Sequence, residues 1–199
     1  MLFCGIDEAG RGALAGPVYA AAVILPDSFD ISLLNDSKKL SLKRRERARA
    51  AIVKHALFWH IGWASCAQID SINILQATLI AMKEAFIGVA AQCATYGHCL
   101  EEELTVIVDG NRLPDIQGNF RLFAEPKADT RYPCVMAASI LAKTSRDYRM
   151  LDYHTQYPLY RYDLHKGYGT VLHRTLIGQY GASPIQRLSF KVKEIPALS

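Results

Sequence analysis

Two short apolar runs in this chain stop on acids, and no other feature constrains the fold as much. Leu2–Ile6 runs directly into Asp7-Glu8, and the β-branched run Leu104–Val108 ends on Asp109. Runs this short and this apolar read as strands buried on both faces. Elsewhere the spacing becomes helical. Ser41 is placed to cap a helix reaching about Leu57, with Ala48, Ile52 and Ala56 on one side and Lys43, Arg44, Arg47 and Lys54 covering the rest. Ile72–Val89 carries Leu75, Leu79, Met82 and Phe86 at helical intervals, and Cys134–Arg149 and Val171–Tyr180 read as two further helices. Val18–Leu25 follows a turn punctuated by Gly10, Gly12, Gly16 and Pro17, which predicts a hairpin-like partner for the first strand. Phe58–Ser65 and Phe120–Glu125 predict two more strands. Early strands followed by alternating helix and strand predict an α/β fold with a mixed sheet.

The length of 199 residues favours one domain over residues 1–199, with a helical extension from about residue 150. Half the residues are hydrophobic, enough to bury a core and to exclude wholesale disorder. The net charge of +4 is a weak pointer to a polyanionic partner. The five cysteines form no C-x-x-C pair, which argues against a zinc site or a disulfide framework. Asp7, Glu8 and Arg11 interrupt the apolar amino terminus, so it does not read as a signal peptide. No window reaches the roughly 18–20 uninterrupted apolar residues of a membrane span. A cytoplasmic location and no membrane association are the expectation by elimination.

If the first and fourth strands are neighbours, Asp7 and Asp109 meet at one sheet edge, with Glu8 beside them. Asp129 follows the predicted fifth strand in Pro126-Lys127-Ala128-Asp129 and precedes a helix. Carboxylates packed together repel unless a cation holds them, and hard cations such as Mg²⁺ or Mn²⁺ take oxygen ligands. The alternative is ordinary: each acid is a solvated loop residue, or in the case of Asp129 a helix-start residue. Gly10-Arg11-Gly12 offers a backbone that a ligand can approach and a cation for a phosphate, or it is a plain glycine turn. Lys38 and Lys39 could neutralise phosphates, as could Lys143 and Arg146 on the later helix, although such charges usually lie on a solvated helix face. In His165-Lys166-Gly167-Tyr168-Gly169-Thr170, Tyr168 could stack on a sugar or base and Lys166 could contact phosphate, or Thr170 simply caps a helix. The remaining histidines show no ligand spacing.

Taken together, these segments resemble ribonuclease HII. The resemblance rests on Gly5-Ile6-Asp7-Glu8-Ala9-Gly10-Arg11-Gly12 with Gly16-Pro17, on Asp36-Ser37-Lys38-Lys39-Leu40-Ser41, and on Val108-Asp109-Gly110-Asn111. It also rests on Ala137–Lys143 through Arg146-Asp147 and on His165-Lys166-Gly167-Tyr168, all in the family's order over nearly the whole chain. It implies a ribonuclease H-like fold, with a central five-stranded mixed sheet and extra helices at the carboxyl end. It implies an endonuclease that hydrolyses the RNA of RNA–DNA hybrids and cuts 5′ of ribonucleotides embedded in duplex DNA. In the family's pattern Asp7, Glu8, Asp109 and Asp129 hold two Mg²⁺ or Mn²⁺ ions, Gly10, Arg11 and Gly12 sense the ribose, and Tyr168 senses the junction. Neither an obligate protein partner nor more than a monomer is implied. The chain departs from many members at Ala13, where proline is usual, and at Ala128, where many bacterial members have glycine.

Overall fold

A computed structural model describes residues 1–34, 41–96 and 104–192. Lys38 and Lys39 lie outside these described residues. The strands β1 (Leu2–Ala9), β2 (Val18–Ile24), β3 (Phe58–Ala64), β4 (Leu104–Asp109) and β5 (Arg121–Glu125) form one mixed sheet in the order β3-β2-β1-β4-β5. β1 pairs antiparallel with β2 and parallel with β4, so it is central on both sides. Every residue of β2 is buried. Its small Ala20, Ala21 and Ala22 let helices close on both faces.

Strand alternation sorts the core. Cys4, Ile6, Ala22, Val106 and Val108 belong to one cluster, which also holds Ala81, Ala85 and Val89 of α2 (Cys66–Thr95). Ala21 and Val23 belong to the cluster on the other face, with Ala48 and Ile52 of α1 (Leu42–His55) and Ile140 and Leu141 of α3 (Pro133–Gln156). Two short helices follow, α4 (Tyr162–His165) and α5 (Val171–Tyr180). Helix α4 packs on the end of α3 through Tyr162 and Met150, in a cluster completed by Ala15, Tyr160 and Ile185.

The local signals explain the boundaries. The Ser41 hydroxyl caps α1 by accepting from Arg44 N, and the Thr170 hydroxyl caps α5 by accepting from His173 N. Helix α2 starts six residues before the expected Ile72, because Ser65 and Gln68 form a reciprocal capping box. It kinks at Asn73, whose backbone (φ 69°, ψ 164°) leaves the helix and whose side chain caps the restart by accepting from Gln76 N at 3.1 Å. Helix α2 is long and apolar enough to cross a membrane, yet Ala77, Ala81, Ala85 and Val89 are fully buried where it packs on the sheet. Helix α3 runs seven residues past the expected Arg149, because Met150 is buried in the carboxyl-terminal cluster. β1 continues through Ala9, which places Asp7 and Glu8 inside the strand rather than after it.

Candidate active site

The parallel pairing of β1 and β4 puts Ile6 opposite Val108, so Asp7 and Asp109 follow side by side at the carboxyl ends of the two central strands. Asp129 comes from the 3₁₀ turn Ala128–Thr130 that precedes α3. One ligand oxygen from each of Asp7, Asp109 and Asp129 lies within 4.8 Å of the other two. Asp7 is 4% exposed and Asp129 6%. The Asp109 carboxylate accepts from Ala128 N at 2.8 Å, which ties β4 to the turn carrying Asp129. Asp7 accepts from Glu8 N at 2.7 Å and from the Ser139 hydroxyl of α3.

Glu8 stands apart from this group. Adjacent residues in a strand point to opposite faces. Its carboxylate accepts from Arg11 at 3.3 Å, while Oε2 is buried with no hydrogen-bond partner among the described residues. Burial, then the charges of Glu8 and Asp109, hold the Asp7 carboxyl well above the usual range. Burial raises Glu8 too, opposed by the Arg11 guanidinium. Acids in this state favour a proton unless a cation takes its place. The oxygen-only donors, the close spacing and the orphaned Glu8 Oε2 fit a hard divalent ion.

The alanine at 128 does not disturb this arrangement. The left-handed residue of the turn is Lys127 (φ 63°, ψ 31°), one position earlier. Ala128 is fully buried against Ile107, Cys134 and Val135, and its amide reaches Asp109.

The Gly10–Gly12 loop is tied to the tyrosine loop. Ala13 bridges to Tyr168, and the amides of Leu14 and Ala15 donate to Gly167 O at 2.8 and 3.2 Å. Gly12 is exposed with open space around it, so its backbone can be approached. Tyr168 is half-buried beneath two cations, the Lys143 ammonium at 5.3 Å and the Arg146 guanidinium at 5.1 Å from the ring centroid. Lys143 also pairs with Asp147 at 2.7 Å. Lys166 turns its ammonium onto the carbonyl of Asp163. Arg146 is not on a solvated face: it is fully buried, because it projects from the side of α3 that faces residues 15–17. Arg112, which carried no sequence signal, lines a small cleft beside Asp109 with Arg11, Thr78 and Asn111. An apolar cavity at the other end of β1, lined by Phe3, Phe29 and Ile31, contains none of these groups.

Sequence reasoning also passed over a histidine pair. His165 and His173 stack with ring centroids 4.3 Å apart. His165 Nδ1 accepts from Gly167 N at 3.1 Å, so its Nε2 carries the proton and donates to Tyr160 O at 2.8 Å. His173 Nδ1 lies 3.0 Å from Tyr168 O and must be the donor there. Both rings therefore hold the backbone that presents Tyr168. Burial, then the neighbouring His165, pushes His173 down to about 4. The unfolded chain takes up this proton near pH 6.5 and the folded chain does not, so stability falls as pH drops from about 6.5 to 4, by roughly 3 kcal/mol. His173→Phe, which keeps a flat ring, is expected to flatten that part of the curve. Urea unfolding at pH 7 and pH 4.5 measures it, and equal acid losses in the two proteins would clear His173.

The sequence profile of ribonuclease HII matches residues 4–193. A ribonuclease HII of Treponema denticola is 52% identical over 98% of this chain and 100% of its own length. The chain belongs to the ribonuclease HII family. It is accordingly a hydrolase, an endoribonuclease of the ribonuclease H type. A ribonuclease HII of Cupriavidus metallidurans is 48% identical over 94% of this chain and 79% of its own. Among solved structures, a ribonuclease HII of Archaeoglobus fulgidus, determined in complex with PCNA, superposes with a TM-score of 0.74 at 26% identity, covering 99% of this chain and 98% of that one. The five-stranded mixed sheet with flanking helices is thus the ribonuclease H-like fold of ribonuclease HII.

Proposed function

We propose that this chain hydrolyses the RNA strand of RNA–DNA hybrids and cuts 5′ of ribonucleotides embedded in duplex DNA, leaving 3′-hydroxyl and 5′-phosphate ends. The observation that carries the reading is the convergence of Asp7, Asp109 and Asp129 beside an exposed glycine backbone that is itself bridged to Tyr168. Asp7, Asp109 and Asp129, with Glu8 on the rim, would hold two Mg²⁺ or Mn²⁺ ions. Such ions, when bound, activate water and stabilise charge on the phosphodiester.

The chain's own groups do the rest. Ser139 and the Ala128 amide aim Asp7 and Asp109, so the acids need not reorganise when a cation arrives. Arg11 is about half exposed, and it is released from the more buried Glu8 when a cation takes over that carboxylate. It is then free to meet a phosphate. The Gly10–Gly12 backbone reads the 2′-hydroxyl, the group that distinguishes RNA from DNA. Tyr168 packs against the following deoxyribose. Lys143 and, outside the described residues, Lys38 and Lys39 fix the duplex through phosphates, and Lys166 reaches them by leaving the Asp163 carbonyl.

The test is an end-labelled DNA duplex with one ribonucleotide, incubated with Mg²⁺, Mn²⁺ or EDTA beside an all-DNA control. A metal-dependent cut immediately 5′ of the ribonucleotide, absent from the control, is the expected result. Cutting of a long hybrid without that cut would remove the junction-reading roles. Cutting of neither would remove the catalytic reading.

A further inference from the structure

Among the described residues, the two bulkiest fully buried side chains are both arginines, Arg146 and Arg187. Taking a guanidinium out of water costs several kcal/mol, so a fold retains one where its fixed fork of donors does something else cannot. Arg146 donates through Nε to Pro17 O at 2.9 Å, through Nη1 to Lys166 O at 2.9 Å and through Nη2 to Ala15 O at 3.0 Å. Arg187 donates through Nε to Gly16 O at 2.8 Å and through Nη1 to Arg11 O at 3.0 Å, and lies over the Phe190 ring at 5.1 Å. All five acceptors are main-chain carbonyls. They belong to the segment from Arg11 to Pro17 and to the residue two before Tyr168.

The two cations also share one compartment. Burial, then the charge of Arg146, pushes Arg187 down to about 10. A packing role alone would be served better by apolar side chains of similar volume. What the pair adds is a rigid spacing between two loops. Arg146 fills the space a Cβ at Gly10 would need, with Nε 2.1 Å from that point, and it covers the Tyr168 ring. The chain after Arg187 is strapped down in turn: the Asp70 carboxylate accepts from Leu188 N and Ser189 N at 2.9 Å each and from the Ser189 hydroxyl at 2.6 Å.

We propose that Arg146 and Arg187 are positioning residues for substrate selection: they fix the Gly10–Gly12 backbone against Tyr168 and thereby set the preference for an isolated ribonucleotide over a continuous RNA–DNA hybrid. The proposal rests on the junction-reading roles given above. The carboxylates are held independently, by β1, β4, Ser139 and the Ala128 amide, so loosening the arginine clamp leaves the hydrolytic centre in place. On a continuous hybrid every position offers a 2′-hydroxyl, and an imprecise loop still finds one. A single ribonucleotide offers one, and only the correct spacing to Tyr168 selects it.

The experiment compares wild type, Arg146→Lys and Arg187→Lys with Mn²⁺ on a duplex carrying one ribonucleotide and on a long hybrid, reading kcat and KM on each. Lysine keeps the charge and loses the fork. The expected result is a fall in kcat of about a hundredfold on the single ribonucleotide, with kcat on the hybrid within about threefold of wild type. Parallel losses on both substrates, or none, would overturn the proposal, since a purely structural role moves both together. Should either lysine variant fail to fold by circular dichroism, Asp70→Asn decides. It weakens the strap beyond Arg187 without touching the buried fork, and an unchanged ratio of the two rates in that variant would overturn the proposal. A wild-type enzyme that cuts the hybrid but ignores the single ribonucleotide would instead sink the junction reading on which the proposal stands.

Discussion

Asp109→Asn is expected to lower turnover by about a thousandfold or more and yet leave the fold intact, because stabilisation of the reacting phosphate by a bound ion is worth several kcal/mol. The substitution changes charge with almost no change in shape. Asp109 takes its hydrogen bond from Ala128 N at 2.8 Å, and an amide oxygen accepts it equally well, so the turn that carries Asp129 stays anchored. What disappears is one negative charge beside Asp7, whose carboxyl is held up by burial first and then by Glu8 and Asp109. A raised carboxyl pKa means that the charged form is disfavoured in the fold at neutral pH, so removing a neighbouring charge relieves the native state. In EDTA the variant should therefore melt no lower than wild type. Added Mn²⁺ should raise the wild-type melting temperature more than that of the variant, as expected when a ligand binds only the folded state. Duplex binding should stay within about threefold, since phosphate contacts outside the cluster supply most of it. Single-turnover rates and thermal melts with and without metal test all three. A wild-type rate in the variant would remove Asp109 from the chemistry.

The acids of this site were readable because two strands announce themselves. A carboxylate directly after an apolar run is costly to bury without a partner, so it marks a place where other groups must converge, and parallel pairing of β1 and β4 brings Asp7 and Asp109 together. The different position of Glu8 was within reach of the same logic. Once β1 is seen to run to Ala9, adjacent acids must face opposite ways. The strand was expected to stop at Ile6 because acids do not look like strand interior. Arg146 was not readable at all. A long cation on a helix reads as solvated, and only the tertiary fold shows that carbonyls of residues 15, 17 and 166 converge on it. His165 and His173 were missed for a similar reason. They straddle a turn, and their stacking follows from how the tyrosine loop closes rather than from any ligand spacing.

Gly5→Ala adds a single methyl group and is expected to disable the molecule. Gly5 sits in the middle of β1, buried, opposite Val23 of β2 and Ile107 of β4. A Cβ there would lie 2.2 Å from the carbonyl carbon of Cys134 and 2.3 Å from Val135 N, both in the main chain of the first turn of α3. No flexible side-chain tip is available to yield. To restore ordinary contact the helix must rise by about 1 Å, and overpacking of that kind costs about 3 kcal/mol. The displaced turn follows directly on the one carrying Asp129, and α3 carries Ser139, the hydrogen-bond donor to Asp7. The same movement that weakens the fold therefore separates Asp129 from Asp7, and a displacement of about 1 Å at a reacting centre can cost a hundredfold in rate. Gly178→Ala in α5 is the matched control. A Cβ there meets nothing within 4 Å, so alanine should stabilise by about 0.5–1 kcal/mol through a less flexible unfolded chain and leave the rate unchanged. Urea midpoints and single-turnover rates at a concentration where each variant is folded separate the two effects. Wild-type stability in Gly5→Ala would mean that α3 does not rest on β1 as closely as described. Lost stability with an undiminished rate in the folded fraction would mean that this contact secures the core alone, and that the spacing of the carboxylates is set by β4 and the Ala128 amide.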